Sequence, residues 1–488
     1  MLLRKREAST IVAQEPDFAP ARMVEIELGQ PLPTLLAFDD KTGRHYQRAF
    51  CLIRLHTRPL GVIELQLGDS EIRADEYARH IWRALSANIN EHLREDGLPP
   101  ATGLDAAGIP SPGTPGCIEE RERFLVDAPF VSVIVPTRDR PDQISSCLRS
   151  LLALHYPQYE IIVVDNAPST TATADFIRQT YRNVPQVRYV REDRPGGSWA
   201  RNRGIMAARG EILAFADDDV VIDPYWLVEF VRGFSMASDV VCVTGYILPL
   251  ELETPAQFWY EEHCGSCWFQ EDGGSCWGLA RSIFDLAENH PKTPLYPYKA
   301  GFGGGASMAF TAAFLRSVGG FDLALGAASP AIGGEDLAAF FQAIIRGHKL
   351  VCEPSVVVYH LHYREYQRLR KQIYNYGIGL TAYLTKSMLE NPRLLFDFIP
   401  KALFAPSLIL RAVASKDGKR LTRYPRELVM LKLKGMLYGP PAYFYSRWTM
   451  RNVSRNFAPD EAVQTSIGAK EASVLAYHIH DREEGIYS

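Results

Sequence analysis

Three consecutive carboxylates, Asp217-Asp218-Asp219, follow the short apolar run Ile212–Ala216 in a chain of 488 residues. Carboxylates crowded in this way repel one another unless a cation sits among them, so the cluster reads as half of a divalent-metal site with hard oxygen ligands. Just upstream, Gly196-Gly197 opens a helix that carries Arg201 and Asn202. Paired glycines let backbone approach a phosphate or a ribose closely, and Arg201 is a cation suited to a diphosphate; a routine loop with a surface arginine is the plainer alternative. A third cluster, His263-Cys264-Gly-Ser-Cys267 with Cys276, has zinc-ligand types but lacks a second Cys-x-x-Cys. Trp259, Trp268, Phe269 and Trp277 surround it, so an acceptor-binding loop that stacks on sugar rings competes there with plain core packing.

The elements that must position these residues follow a strand–helix rhythm. Val131–Val135 and Ile161–Val164 read as buried strands, separated by a helix with Ile144, Leu148, Leu151 and Leu152 on one face. Strand, helix, strand implies parallel pairing. The rhythm continues through a helix near 172–181, a strand over 187–190, a helix near 198–208 and a strand over 212–216. Ligands of open parallel sheets bind beyond the carboxyl ends of the strands, where Pro136-Thr137-Arg138, Asp165-Asn166 and Asp217–Asp219 would all converge.

Upstream, residues 24–68 alternate apolar stretches with turn signals at Lys41-Thr42-Gly43 and Arg58-Pro59-Leu60-Gly61, which predicts a small β-rich unit. Ile72, Tyr77, Ile81, Leu85, Ile89 and Leu93 then recur at helical spacing. The stretch 97–116 is rich in Gly, Pro, Ala and Thr and reads as a linker. The expected organisation is a β-rich domain over 1–96, a linker over 97–127, a catalytic-type α/β domain over 128–365, a helical region over 366–457 and a polar tail over 458–488.

A formal charge of −4, with 47% apolar and 11% aromatic residues, describes a globular chain and gives no reason to expect nucleic acid as a partner. No run of about 18 apolar residues and no secretory leader is evident, so a cytoplasmic protein with reduced thiols among its eight cysteines is expected. Residues 411–451 hold ten Lys/Arg against Asp417 and Glu427. Together with the interrupted apolar stretches of 392–413, this predicts peripheral contact with an anionic membrane through 392–451, or else a solvated helical face.

Taken in order, Val-Ser-Val-Ile-Val-Pro136-Thr137-Arg138, Ile-Ile-Val-Val-Asp165-Asn, Arg194-Pro-Gly-Gly-Ser-Trp-Ala-Arg201-Asn202-Arg-Gly204 and Asp217–Asp219 resemble family 2 glycosyltransferases over about residues 131–362. The resemblance implies an α/β GT-A fold, Rossmann-like with a mostly parallel sheet and flanking helices. It also implies a nucleotide diphosphate sugar donor, UDP-linked in the first place and TDP- or GDP-linked in the second, and Mg²⁺ or Mn²⁺. Sugar transfer to a hydroxyl of a glycan or lipid-linked acceptor would then proceed with inversion. On this basis Pro136, Thr137, Arg138, Gly197, Arg201, Asn202 and Asp218 fall on the donor side, and Asp165 accepts from the base unless it merely caps a helix. Asp217 contacts ribose and metal, Asp219 is the firmest metal ligand, and His360 completes the shell with His362 as competitor, both ending the run Val356–His362.

Gly333-Gly334-Glu335-Asp336 matches the family's Glu-Asp motif, with Asp336 as base and Glu335 as its neighbour, or both as helix caps. Gly301–Phe310 resembles the acceptor-side segment, which assigns Gly304, Gly305, Ser307 and, from the aromatic loop, Trp268 to the acceptor. Ser307 and Thr311 stand where relatives carry Asn and Arg. A sugar nucleotidyltransferase and a catalytically inactive carbohydrate-binding scaffold are the rival readings. The first lacks its Gly-rich loop here, and the second does not account for Asp219 together with Asp336.

Overall fold

The computed structural model describes residues 18–40, 42–264, 276–278, 281–285, 303–396 and 425–454. The N-terminal unit is built on strands β1 (Ala21–Glu27), β2 (Arg48–Leu55) and β3 (Arg58–Gln66), β1 running parallel and β3 antiparallel to β2. Every residue of β2 is buried, and strand alternation explains how. Ala49, Cys51, Ile53 and Leu55 pack with Tyr77, Ile81, Leu85, Ile89 and Leu93 of helix α1 (Ala74–Glu95), the face expected from the helical spacing. Phe50 and Leu52 face the other way and join Leu248, Leu252, Phe258 and Val357, so the central strand of this unit belongs to two cores at once.

Two expectations for this region need correction. The β2–β3 turn is His56-Thr57, with φ of 54° and 68°, while Pro59, Leu60 and Gly61 lie inside β3. The Pro-Gly signal was outweighed by packing, because Leu60 is buried in the core shared with α1. Nor is 97–127 a free tether. Leu104 and Ile109 join the same core, and the Ile109 amide donates to the Leu28 carbonyl at 2.7 Å. The segment continues into helix α2 (Gly116–Val126), whose Arg121 donates through Nε (3.1 Å) and NH2 (2.9 Å) to the fully buried Glu229. Glu229 is also paired with Arg232 of its own helix, so the contact ties α2 into a buried ion-pair network of the next unit.

The central unit runs β4 (Val131–Thr137), α3 (Pro141–Leu152), β5 (Tyr159–Asn166), α4 (Ala172–Thr180), β6 (Val187–Glu192), α5 (Gly197–Ala207) and β7 (Ile212–Ala216). Strands β6, β5, β4 and β7 lie side by side in that order, all parallel, as the alternating rhythm predicts. Beyond β7 come β8 (Val220–Ile222), α6 (Trp226–Phe234), β9 (Val240–Pro249) and α7 (Pro255–Cys264). The short strands β10 (Cys276–Gly278) and β11 (Ser282–Phe284) follow, β10 extending the N-terminal sheet beside β3. Then come β12 (Ser307–Thr311), α8 (Ala312–Ser317), α9 (Glu335–Ile345) and β13 (Lys349–His360). The large sheet continues β7-β12-β9-β13-β8, with β11 also on β13, and becomes mixed because β12 pairs antiparallel to both neighbours. The central unit is thus an α/β unit with a largely parallel sheet and flanking helices.

Two long helices, α10 (Tyr366–Glu390) and α11 (Arg426–Ser454), form the C-terminal region. They touch backbone to backbone. A β-carbon on Gly377 would lie 2.2 Å from the Lys432 carbonyl, and one on Gly435 would lie 2.1 Å from that of Tyr374, so only glycine fits at either point. Tyr383 and Ala382 of α10 in turn pack on Phe341 and Ala338 of α9, which anchors the helical pair to the central unit. Among the described residues no helix is long and apolar enough to cross a membrane. The five described cysteines that are identified as free, Cys51, Cys117, Cys147, Cys242 and Cys352, are all buried thiols. The polar tail, Trp268, Cys267 and residues 397–424 of the basic stretch lie outside the described residues.

Candidate active site

Strand register brings the carboxylate cluster together with its partners. Thr137 at the end of β4 is paired with Asp165 at the edge of β5, and β7 stops at Ala216, which releases Asp217–Asp219 into the same crevice. The strand β8 that follows pairs antiparallel with β13, Val220 opposite His360, so His360 is delivered against Asp219. Its Nε2 lies 3.2 Å from Asp219 Oδ1. Donor atoms of Asp217, Asp219 and His360 all fall within 4.8 Å of one another. Two carboxylates and an imidazole at that spacing suit a divalent cation, so the residues present fit Mg²⁺ or Mn²⁺.

Asp218 plays a different part. It is buried, accepts from the Thr137 hydroxyl at 2.6 Å and pairs with Arg140 at 3.2 Å. Burial and the adjacent Asp219 raise its pKa to about 6. Arg140, which sequence reasoning did not single out, takes the inward position expected of Arg138. Asp139 adopts a φ of 54° and redirects the chain, leaving the Arg138 side chain half exposed beside Asp139.

The two histidines divide their tasks. His362 is buried and its Nε2 meets Glu261, while its Nδ1 lies 2.9 Å from Nδ1 of His360. With His360 Nε2 presented as an acceptor to a cation, its Nδ1–H donates to His362, whose Nε2–H donates to Glu261. Desolvation lowers the His362 pKa and favours the neutral ring this relay requires. The chain therefore holds the His360 ring in the tautomer a metal needs, the task that carboxylate partners perform for ligating histidines generally. Glu261 carries no motif signal; only the fold brings it here.

The Glu335-Asp336 pair opens α9, where the helix N-terminus favours negative charge. Glu335 accepts from Arg201 NH1 at 2.6 Å, and Arg201 NH2 reaches Asp217 at 3.4 Å. Burial pushes the Glu335 carboxyl up, opposed by Arg201. Asp336 is oriented by two backbone amides, accepting from Gly305 at 3.0 Å and from Leu337 at 2.8 Å. A β-carbon on Gly305 would lie 3.1 Å from Arg201 NH2 and 3.4 Å from Asp336 Oδ2, so glycine leaves this junction open. Gly304 accepts from the Ser307 amide in the same turn. The wall opposite the carboxylates includes Gln372 and Tyr376 of α10, a contribution the sequence did not signal.

On the far side of the crevice Tyr189 donates to Asp165 Oδ2 at 2.9 Å, while the buried Oδ1 has no partner in the protein. Desolvation raises the pKa of this carboxyl. A buried acceptor without a donor is a place for a ligand N–H. Pro136 closes β4 beside Val164 and shapes the same edge.

Three expected residues are used otherwise. Ser307 is fully buried and accepts from Trp226 Nε1 at 3.0 Å, because the pleat of β12 turns it into the core. Asn202 donates to and accepts from the Phe321 backbone, both at 2.8 Å. The Gly197 amide donates to the Ala327 carbonyl at 3.0 Å and the Gly196 amide to Asn166 Oδ1 at 2.8 Å, so neither faces a phosphate.

The crevice thus sets a carboxylate–imidazole cluster beside a helix-borne acid pair at one edge of a mixed α/β sheet. Residues 132–255 match the model of glycosyl transferase family 2. Over 113 residues the chain is 39% identical to glycosyltransferase AglE of Haloferax volcanii, covering 22% of this chain and 36% of that protein. Over 147 residues it is 34% identical to O-antigen biosynthesis protein RfbC of Myxococcus xanthus, covering 29% of this chain and 11% of that one. The chain thus spans between 11% and 36% of the length of these two relatives. Among solved structures, the mannosyltransferase PcManGT from Pyrobaculum calidifontis, in complex with GDP-Man and Mn²⁺, aligns over 72% of this chain and 86% of that one, with 16% identity and a TM-score of 0.37. S. aureus TarS 1–349 aligns over 65% and 91%, with 16% identity and a TM-score of 0.35.

The site geometry sets the pH dependence of cation binding. Burial lowers the His360 pKa, but Asp219 and Asp217 outweigh it and the net shift is upward; burial also raises Asp217. Both groups must shed their protons to hold a cation, so affinity rises with pH. Mn²⁺ titration followed by electron paramagnetic resonance is expected to show tighter binding at about pH 8 than at about pH 6. Asp219→Ala should weaken binding by more than roughly tenfold. An affinity indifferent to both changes would remove these residues from the metal site.

Proposed function

We propose that this protein is an inverting, metal-dependent glycosyltransferase. It moves one sugar from a nucleotide diphosphate donor, UDP-linked by preference, with TDP or GDP as the other candidates, to a hydroxyl of a glycan or lipid-linked acceptor in cell-envelope polysaccharide synthesis. The observation that carries this reading is the contact of Arg201 with both Asp217 and Glu335, which joins the cation side of the crevice to the acid pair. Asp165, with one unpartnered buried oxygen, receives the base N–H of the donor.

Asp217, Asp219 and His360 would hold Mg²⁺ or Mn²⁺, which when bound neutralises charge growing on the departing diphosphate. Asp336, fixed by the Gly305 and Leu337 amides, takes the proton from the acceptor hydroxyl. That oxygen then bonds to the anomeric carbon on the face opposite the leaving group, and the carbon–phosphate oxygen bond breaks. Glu335 and Arg201 keep the acid pair in place beside the donor, and Asp218 steadies the loop through Thr137 and Arg140.

Asp336→Asn tests the assignment of the base. The expected result is a fall in kcat of about 10²–10⁴ with donor affinity within about twofold of wild type. Retained turnover contradicts the assignment, and pyrophosphate release from a nucleoside triphosphate would favour a nucleotidyltransferase instead.

The lipid-linked acceptor is supported by α11, on which Leu437, Tyr438, Phe444, Tyr445 and Trp448 are each more than half exposed beside Arg447. Apolar and aromatic side chains bordered by cations suit the boundary of an anionic bilayer at the cytoplasmic face. Co-sedimentation with phosphatidylglycerol vesicles, reduced by Phe444→Ser with Trp448→Ala and absent with phosphatidylcholine, is expected. Equal recovery of both proteins in the supernatant contradicts membrane contact.

A further inference from the structure

The N-terminal unit holds a second convergence of ligating side chains, remote in sequence from the crevice residues and used by none of the chemistry above. His56 comes from the β2–β3 turn, His92 and Asp96 from the end of α1, and Cys117 from the first turn of α2. All four are buried, with exposures of 7%, 5%, 7% and 3%. We propose that His56, His92, Asp96 and Cys117 form a structural zinc site.

The contacts are difficult to satisfy with protons alone. His56 Nδ1 lies 2.7 Å and His92 Nε2 3.2 Å from the same oxygen, Asp96 Oδ2, and the two nitrogens are 3.1 Å apart. Cys117 Sγ reaches that oxygen too, at 3.1 Å. Three donors thus crowd one carboxylate oxygen, and the nitrogen pair always sets donor against donor or lone pair against lone pair when both rings are treated alike. A divalent cation at the centre removes the conflict. All four donor atoms lie within 4.8 Å of one another. A tetrahedral zinc centre with Zn–N and Zn–O near 2.1 Å and Zn–S near 2.3 Å needs ligand separations of about 3.3–3.8 Å, an outward shift of a few tenths of an ångström from the contacts seen.

The surroundings match a metal shell. With Nδ1 of His56 on the metal, its Nε2–H donates to Ser111 Oγ at 2.7 Å, and the remaining Asp96 oxygen accepts from the Cys117 amide at 2.9 Å. The left-handed φ of 54° at His56 is the kind of backbone cost that persists where the surroundings require the side chain in one place. A thiolate, two imidazoles and a carboxylate in a closed buried set are zinc ligands of the structural type. The ion would clamp the turn, α1 and α2 together, and α2 carries Arg121 to Glu229 of the central unit.

The test uses the full chain carrying Asp219→Ala, chosen to weaken cation binding at the crevice. Zinc content after purification without chelators should be one ion per chain, and replacement with Co²⁺ should give a near-ultraviolet thiolate-to-cobalt charge-transfer band. Cys117→Ser should abolish that band and reduce zinc to buffer background. Because Cys264, Cys267 and Cys276 are also thiols, the triple variant Cys264→Ser, Cys267→Ser and Cys276→Ser should keep both signals, which excludes that cluster even if Cys117→Ser does not fold. No zinc and no charge-transfer band, or signals lost in the triple variant, would overturn the proposal.

Discussion

The guanidinium of Arg201 sits buried between two acids that belong to opposite halves of the sheet, Asp217 after β7 and Glu335 at the head of α9. A charge in such a place is tolerable only when paired, and here it is paired on both sides. The arrangement couples the loop that would hold a cation to the helix that carries the proposed proton acceptor. It also explains Gly305: a side chain there would press on Arg201 and Asp336 together. Neighbouring groups are arranged about this tie, with Asp218 braced by Thr137 and Arg140 on one side and His360 braced by His362 and Glu261 on the other.

The scaffold around the crevice is shared between units rather than confined to one. β2 of the N-terminal unit divides its side chains between α1 and the central unit, and α2 joins them again through a buried ion pair. From the other end, α10 supplies Gln372 and Tyr376 to the crevice wall and packs on α9 close to Asp336. The accessory elements therefore help to shape the crevice that holds the carboxylates.

Much of the crevice was legible in the sequence because strand ends carry local signals. The apolar runs before Pro136, Asp165 and Asp217 mark parallel strands, and parallel strands must deliver their ends to one edge. The strand-end position of His360 is likewise legible, and the register sets it opposite Val220, next to Asp219. What escaped the sequence depends on the direction of single side chains. Ser307 lies in a motif facing the site, yet the pleat turns it to Trp226; Asn202 follows Arg201, yet its amide closes on the Phe321 backbone. Arg140 and Glu261 have no motif because their roles arise from a left-handed residue at Asp139 and from packing of α7 against the end of β13. The His56, His92, Asp96 and Cys117 cluster is equally silent, spread over three elements with no repeated spacing.

The central claim is that the crevice holds a nucleotide diphosphate together with a divalent cation. Calorimetric titration with UDP, GDP and TDP and their sugar conjugates, each with and without Mn²⁺, tests it most directly. The account predicts saturable binding of one nucleotide series that depends on Mn²⁺ and is lost in Asp219→Ala. Absence of binding by every nucleotide in the presence of metal, from protein that is demonstrably folded, would contradict it.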